Sequence, residues 1–211
     1  RITNDDFDVI QGFVSYNAPV GNGLKFDLGK FVTSIGVELI PGPSGWNQNY
    51  SNSWLFTYGP YTHTGLRTSY AINDKFSVMG MVANGWDNSV DTNNGKVWCA
   101  ELNYALFNNV ALSYHWMGGP ETQLINVNNE MGWRHLHDFI ATIGLTDKLK
   151  MTLNADYGHD AMNPTIVTGD DANWWMFVGY LRYDHNKWFS MNVRGETFDD
   201  SDGARTGFRQ H

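Results

Sequence analysis

Three groups of side chains in this sequence are spaced as chemistry would require. Ser113 and His115 lie two residues apart, so on an extended strand they share a face, as a nucleophile and its base must. His135 and His137 repeat that spacing and put two imidazoles on one side, which suits a metal. Asp199-Asp200-Ser201-Asp202-Gly203 has part of the pattern of a calcium-binding loop. Each is incomplete. Nucleophilic catalysis also needs hydrogen-bond reach, an orienting third group and an oxyanion hole, whereas same-face strand neighbours stand several ångströms apart. The histidine pair has no identifiable third ligand and sits near a strand end beside Arg134, which favours a rim or interface role. The aspartate run lacks the later Glu and the flanking helices, so it reads as an acidic turn. Glycine-rich phosphate cradles and H-E-x-x-H are absent. The expectation is a non-enzyme without catalytic residues, metal or cofactor.

The elements that position these residues are strands. Leu149, Met151, Leu153, Ala155 and Tyr157 alternate with Lys150, Thr152, Asn154 and Asp156, a period of two with one apolar and one polar face. The stretch from Asn173 to Asp200 repeats it as a hairpin about a His185-Asn186-Lys187 turn. Phe189, Met191 and Val193 share a face with Trp175, Phe177, Gly179, Leu181 and Tyr183, and Arg182, Arg194 and Glu196 take the other. The same pattern predicts strands over Asp8–Ala18, Leu24–Phe31, Tyr61–Ile72, Phe76–Trp86, Gly95–Leu106, Val110–Met117 and Arg134–Thr146. Gly118–Trp133 reads as a long loop, and Ser201–His211 as the start of an eleventh strand. No segment has a convincing helical period.

Connection lengths then decide the class. Tight turns follow the odd-numbered strands and longer polar loops the even-numbered ones, which a soluble sandwich gives no reason for. Outer-membrane barrels do, with short periplasmic turns and long extracellular loops. Strands of about 9–12 residues suit a tilted membrane crossing. Tyr16, Tyr70, Trp86, Tyr104, Trp116, Tyr157, Tyr183 and Trp188 near strand ends fit aromatic girdles. Composition agrees: aromatics are 15% of residues and charged residues only 17%, below the soluble average of roughly 25%. The formal charge of −8 argues against nucleic acid as a partner. The single cysteine, Cys99, precludes an internal disulfide. A soluble carbohydrate-binding β-sandwich, using the aromatics as sugar platforms, is the alternative outside the membrane.

Several segments resemble the OmpL-like β-barrel porins of bacterial outer membranes. They are Gly29-Lys30-Phe31 with Ser34-Ile35-Gly36-Val37-Glu38, then Asn52-Ser53-Trp54, Pro60 to Gly65, Val82 to Asp87, and Arg194 to Gly207. The resemblance spans nearly the whole chain and implies an antiparallel transmembrane barrel in the outer membrane, embedded in lipid, passing small hydrophilic solutes. Members of that family are longer, and outer-membrane barrels usually end on an aromatic residue within a last strand. Residues 1–211 are therefore expected to form a single β-barrel domain, truncated at both ends, with about ten strands of a larger wall. Trimers are common among porins, which suggests a homo-oligomer by analogy. A barrel with a structural or docking role is the other reading.

With the apolar face on lipid, the polar face lines the lumen, where water keeps charges stable. The expected lining is Lys25, Asp27, Glu38, Arg67, Glu101, His115, Asp138, Lys150, Asp156, Arg182, Arg194 and Glu196, with Arg67, Arg182 and Arg194 as the anion-attracting set. Val32–Gly59 either folds into the pore, bringing Glu38 to Arg67 or Arg194, or caps the outer surface.

Overall fold

The computed structural model describes residues 9–40, 47–93, 95–123, 131–161 and 170–208. Ten antiparallel strands form one sheet in sequence order: β1 (Gly12–Ala18), β2 (Leu24–Val32), β3 (Thr62–Ala71), β4 (Phe76–Ala83), β5 (Val97–Phe107), β6 (Val110–Gln123), β7 (Met131–Gly144), β8 (Leu149–Asp160), β9 (Ala172–Asn186) and β10 (Phe189–Asp199). Short turns follow the odd-numbered strands, as the sequence implies. Asn186 Oδ1 fastens the last of them, accepting from the N–H groups of Trp188 and Phe189 at 3.0 Å each. Among the described residues β1 and β10 do not pair with each other, so the sheet is open.

The sheet must curl, and distances show why. β2 and β7 are five strand spacings apart, about 24 Å on a flat sheet. Yet Gly36, four residues beyond the end of β2, donates its N–H to Asp138 Oδ2 on β7 at 3.0 Å. Four extended residues reach about 14 Å at most, so the two strands can meet only around a curved wall.

Three sequence expectations need correction. Gly118–Trp133 is not one long loop, because β6 runs on to Gln123 and β7 begins at Met131. Gly118, Gly119 and Pro120 look like strand breakers, but β6 is unpaired with β5 beyond Gly118, and its register with β7 shifts at Pro120. Pro120 therefore lacks its N–H where no ladder bond needs it. Ser201–Phe208 forms turns rather than a strand: Asp200 accepts from the backbone of Arg205 and Thr206 and from the Thr206 hydroxyl. A short helix, α1 (Trp54–Tyr58), also exists, capped by Ser53, whose side chain accepts from Phe56 N at 3.1 Å.

The two faces of the sheet differ sharply. Outside, Phe139, Met191 and Val193 are 53%, 51% and 66% exposed, and register joins Met151 to Leu181 and Leu181 to Val193. A single sheet leaves this band with no second layer among the described residues, so the sandwich reading is set aside. Inside lies the core, where Phe31, Met117, Leu136, Trp174, Met176 and Val178 are almost wholly buried. Ile35 and Leu55, from the β2–β3 connection, join them. Trp86 belongs to this inner set rather than to a girdle, with the guanidinium groups of Arg134 and Arg205 4.8 and 5.1 Å from its ring.

Candidate pore lining

Alternation along curled strands gathers the charged residues on the inner face in register rows. Asp27 pairs with Arg67 across β2 and β3. Glu101, His115, Asp138 and Asp156 form one row over β5 to β8. Lys150 stands directly opposite Arg182 across β8 and β9. Arg194 and Glu196 lie on β10, on the same side.

Most of these charges are held by partners rather than by water, exposed Lys150 excepted. Asp27 is 2% exposed; it accepts from Ser15 Oγ at 2.6 Å and Arg67 Nη2 at 3.0 Å, and Lys25 Nζ lies 3.1 Å away. The Arg67 guanidinium also lies 4.3 Å from the Phe31 ring centroid. His115 bridges two carboxylates, with Nδ1 2.7 Å from Asp138 and Nε2 3.5 Å from Glu101. Asn154 donates to Asp138 and, at 3.4 Å, to Asp156, whose second oxygen has no hydrogen-bond partner among the described residues. Burying charge is costly unless it is paired and hydrogen-bonded. The expectation that a wet lumen solvates the whole set is therefore corrected for Asp27, Glu38, His115, Asp138 and Asp156, all buried.

The β2–β3 connection covers the inner face. Gly36 N binds Asp138, and Val37 N binds Asn154 Oδ1 at 3.2 Å. Glu38 accepts from Tyr180 Oη at 2.8 Å, Ser53 N at 2.8 Å and Arg194 Nη1 at 3.2 Å. Of the two arginines expected to meet Glu38, Arg194 does so. Its fork also reaches the carbonyls of Ser51 and Asn52. Glu196 accepts from Trp54 N at 2.7 Å, seating α1, whose Trp54 and Tyr58 rings stack near Phe198. The segment is folded inward.

Arg205 closes the long-loop end of this interior. It lies 5.3 Å from the Trp174 ring centroid, faces Trp86 as well, and donates to Tyr58 O at 2.6 Å. Burial, with Arg134 nearby, pulls its guanidinium down to about 10. In the loop after β4, Asp87 accepts from the N–H groups of Tyr61 and Thr62 at 2.7 and 2.8 Å, while burial pushes its carboxyl above the usual range.

The three motifs first singled out are committed elsewhere. Ser113 Oγ donates to Asn103 Oδ1 at 2.5 Å, while His115 faces the two carboxylates. His135 and His137 lie on the outer face. His135 stacks with Trp116 and Trp133, and His137 Nδ1 is 2.8 Å from Tyr114 Oη. Asp199 and Asp200 accept from their own turn, and Asp202 from Asn173 N. No group of three ligating side chains among the described residues is arranged for a metal.

Tyr180, Ser53 and the amides of Gly36 and Val37 escaped sequence reading. One signal was there to find: Trp174, Met176, Val178 and Tyr180 make β9 apolar on its second face too, and a strand apolar on both faces is covered on both.

An open, curled antiparallel meander, with an apolar outer band and charged rows inside, is the wall of an outer-membrane-type β-barrel. A family model described as "Putative beta-barrel porin-2, OmpL-like" matches residues 1–210, and the chain belongs to that family. No curated protein and no solved structure matches it.

Proposed function

We propose that this chain forms the wall of an outer-membrane channel through which small hydrophilic solutes diffuse, filtered by size and charge. Residues 33–40 and 47–61 act as the internal constriction. The observation that carries this reading is the seat of that segment: it crosses from β2 to β7, β8, β9 and β10 on the inner face, held by Glu38, Gly36, Val37 and Trp54. A segment so placed narrows the passage and leaves its free edge to select solutes. Glu38, Arg194 and Glu196 hold the constriction, while Lys25, Lys150 and Arg182 line its approach. Family membership supports an outer-membrane location with lipid around the wall.

A second reading has its own support. The packed inner residues Phe31, Ile35, Leu55, Met117, Leu136 and Trp174 favour a closed barrel that serves as a structural or docking sleeve. Planar-bilayer recording of the full chain separates the two. Discrete conductance steps, enlarged when Glu38→Gln loosens the constriction, are the expected result. A membrane-inserted barrel that never conducts, with or without the substitution, supports the sleeve and overturns the channel.

A further inference from the structure

Opposite charges meet across the ladders of this sheet at several places, and like charges at two: Asp138 with Asp156, where Asn154 donates to both and His115 lies against Asp138, and a basic pair. Lys150 and Arg182 are direct register partners on the inner face, an arrangement that destabilises a sheet. Arg67 and Arg194, the other expected anion-attracting arginines, are neutralised by Asp27 and by Glu38 with Glu196. Arg182 keeps only Asp184, 2.8 Å away and 47% exposed, and exposed Lys150 has no ion pair among the described residues. Lys148 and Lys187 outnumber Asp147 at the same end, and all three line an open groove of about 700 Å³ together with Arg182, Asp184 and Ser190. The opposite, long-loop end carries an excess of aspartates, among them Asp91, Asp171, Asp199 and Asp202. One half-exposed aspartate against two cations compensates the Lys150–Arg182 pair only in part, and local rules broken in this way are expected at functional sites.

The geometry points to an anion-docking step at the short-turn mouth, formed by Lys150 and Arg182 and suited to small oxyanions such as phosphate or a carboxylate-bearing solute. The ligand supplies the negative charge that the ladder omits. Lys150 contributes a mobile ammonium, and Arg182 a planar fork that matches two oxygens of one oxyanion. Asp184 competes for the same fork and sets the resting state. Placing the step at one mouth also makes the channel polar, with a basic approach on one side and an acidic one on the other, so that anions enter more readily from the short-turn side. This last consequence rests on the channel reading; the binding step does not.

The test is a phosphate titration of the full chain in maltoside micelles, which carry no phosphate headgroup, followed by amide and guanidinium NMR shifts. Saturable shifts are expected at Lys150, Arg182 and Asp184, absent with chloride at equal ionic strength. Lys150→Ala or Arg182→Ala weakens them about tenfold, the loss of one charge-assisted contact. Asp184→Asn strengthens them. A second arm adds anionic phospholipid: competition assigns the site to a lipid headgroup and overturns the solute assignment. Shifts spread over all the turns, or unchanged in the Lys150→Ala/Arg182→Ala double variant, overturn the site itself. Local shifts in a barrel that does not conduct leave docking standing and remove the channel. Conduction without them does the reverse.

Discussion

Arg194→Ala lowers the unfolding free energy of the barrel by about 3 kcal/mol, because it leaves Glu38 buried without its cation. Glu38 keeps the Tyr180 hydroxyl and the Ser53 N–H, which places the loss at the lower end for a broken buried pair. Arg194 also donates to Ser51 and Asn52, so the residues just before α1 come free with it. Arg194→Lys recovers only part of the loss, since an ammonium cannot span Glu38, Glu196 and two carbonyls as a fork does. Urea unfolding in micelles measures both variants. A loss below about 0.5 kcal/mol, the size of an ordinary surface change, means that the inner segment is not held by this pair.

Leu153→Arg is the second large effect, and it addresses the outside of the wall. Leu153 lies midway along the outward run of β8, opposite Ala141 and Gly179. Gly179 leaves room for a long side chain, so packing adds little to the cost. An arginine near the bilayer midplane costs about 2–4 kcal/mol, falling to about 0–1 near the interface. Leu149→Arg, at the end of the same face, is therefore the near-neutral control. Folding titrations into lipid vesicles should give this depth dependence. Equal and small costs at both positions are what a water-exposed face would give.

The strands were legible because membrane walls write their two faces plainly. Leu149 to Asp156 alternates with hardly a break, and the predicted turns recur after every odd-numbered strand. Of the twelve residues expected to line a lumen, eleven share the inner face of the sheet, and Glu38 reaches that face from the β2–β3 connection. What surrounds them was less legible. Periodicity tells inside from outside but not wet from dry, and whether Asp138 meets water depends on Gly36, more than a hundred residues away. Pro120 misled because a proline is excluded only where its missing N–H is needed, which depends on where β5 begins. Helix α1 is too short for a helical period to register; Ser53 as its cap was the only local trace.

Lipid against the apolar face of this sheet, and none against the charged face, is what a membrane wall requires. Spin labels placed singly at residues 149 to 155 of the full chain in vesicles, with Cys99 replaced by Ala, test it directly. Oxygen, which concentrates in the bilayer, and a water-soluble nickel chelate would serve as relaxing agents. Oxygen accessibility is expected to peak at Met151, Leu153 and Ala155 and to dip at Lys150, Thr152 and Asn154, with nickel low at all three peaks. Nickel accessibility highest at Met151, Leu153 and Ala155 would contradict lipid contact on that face.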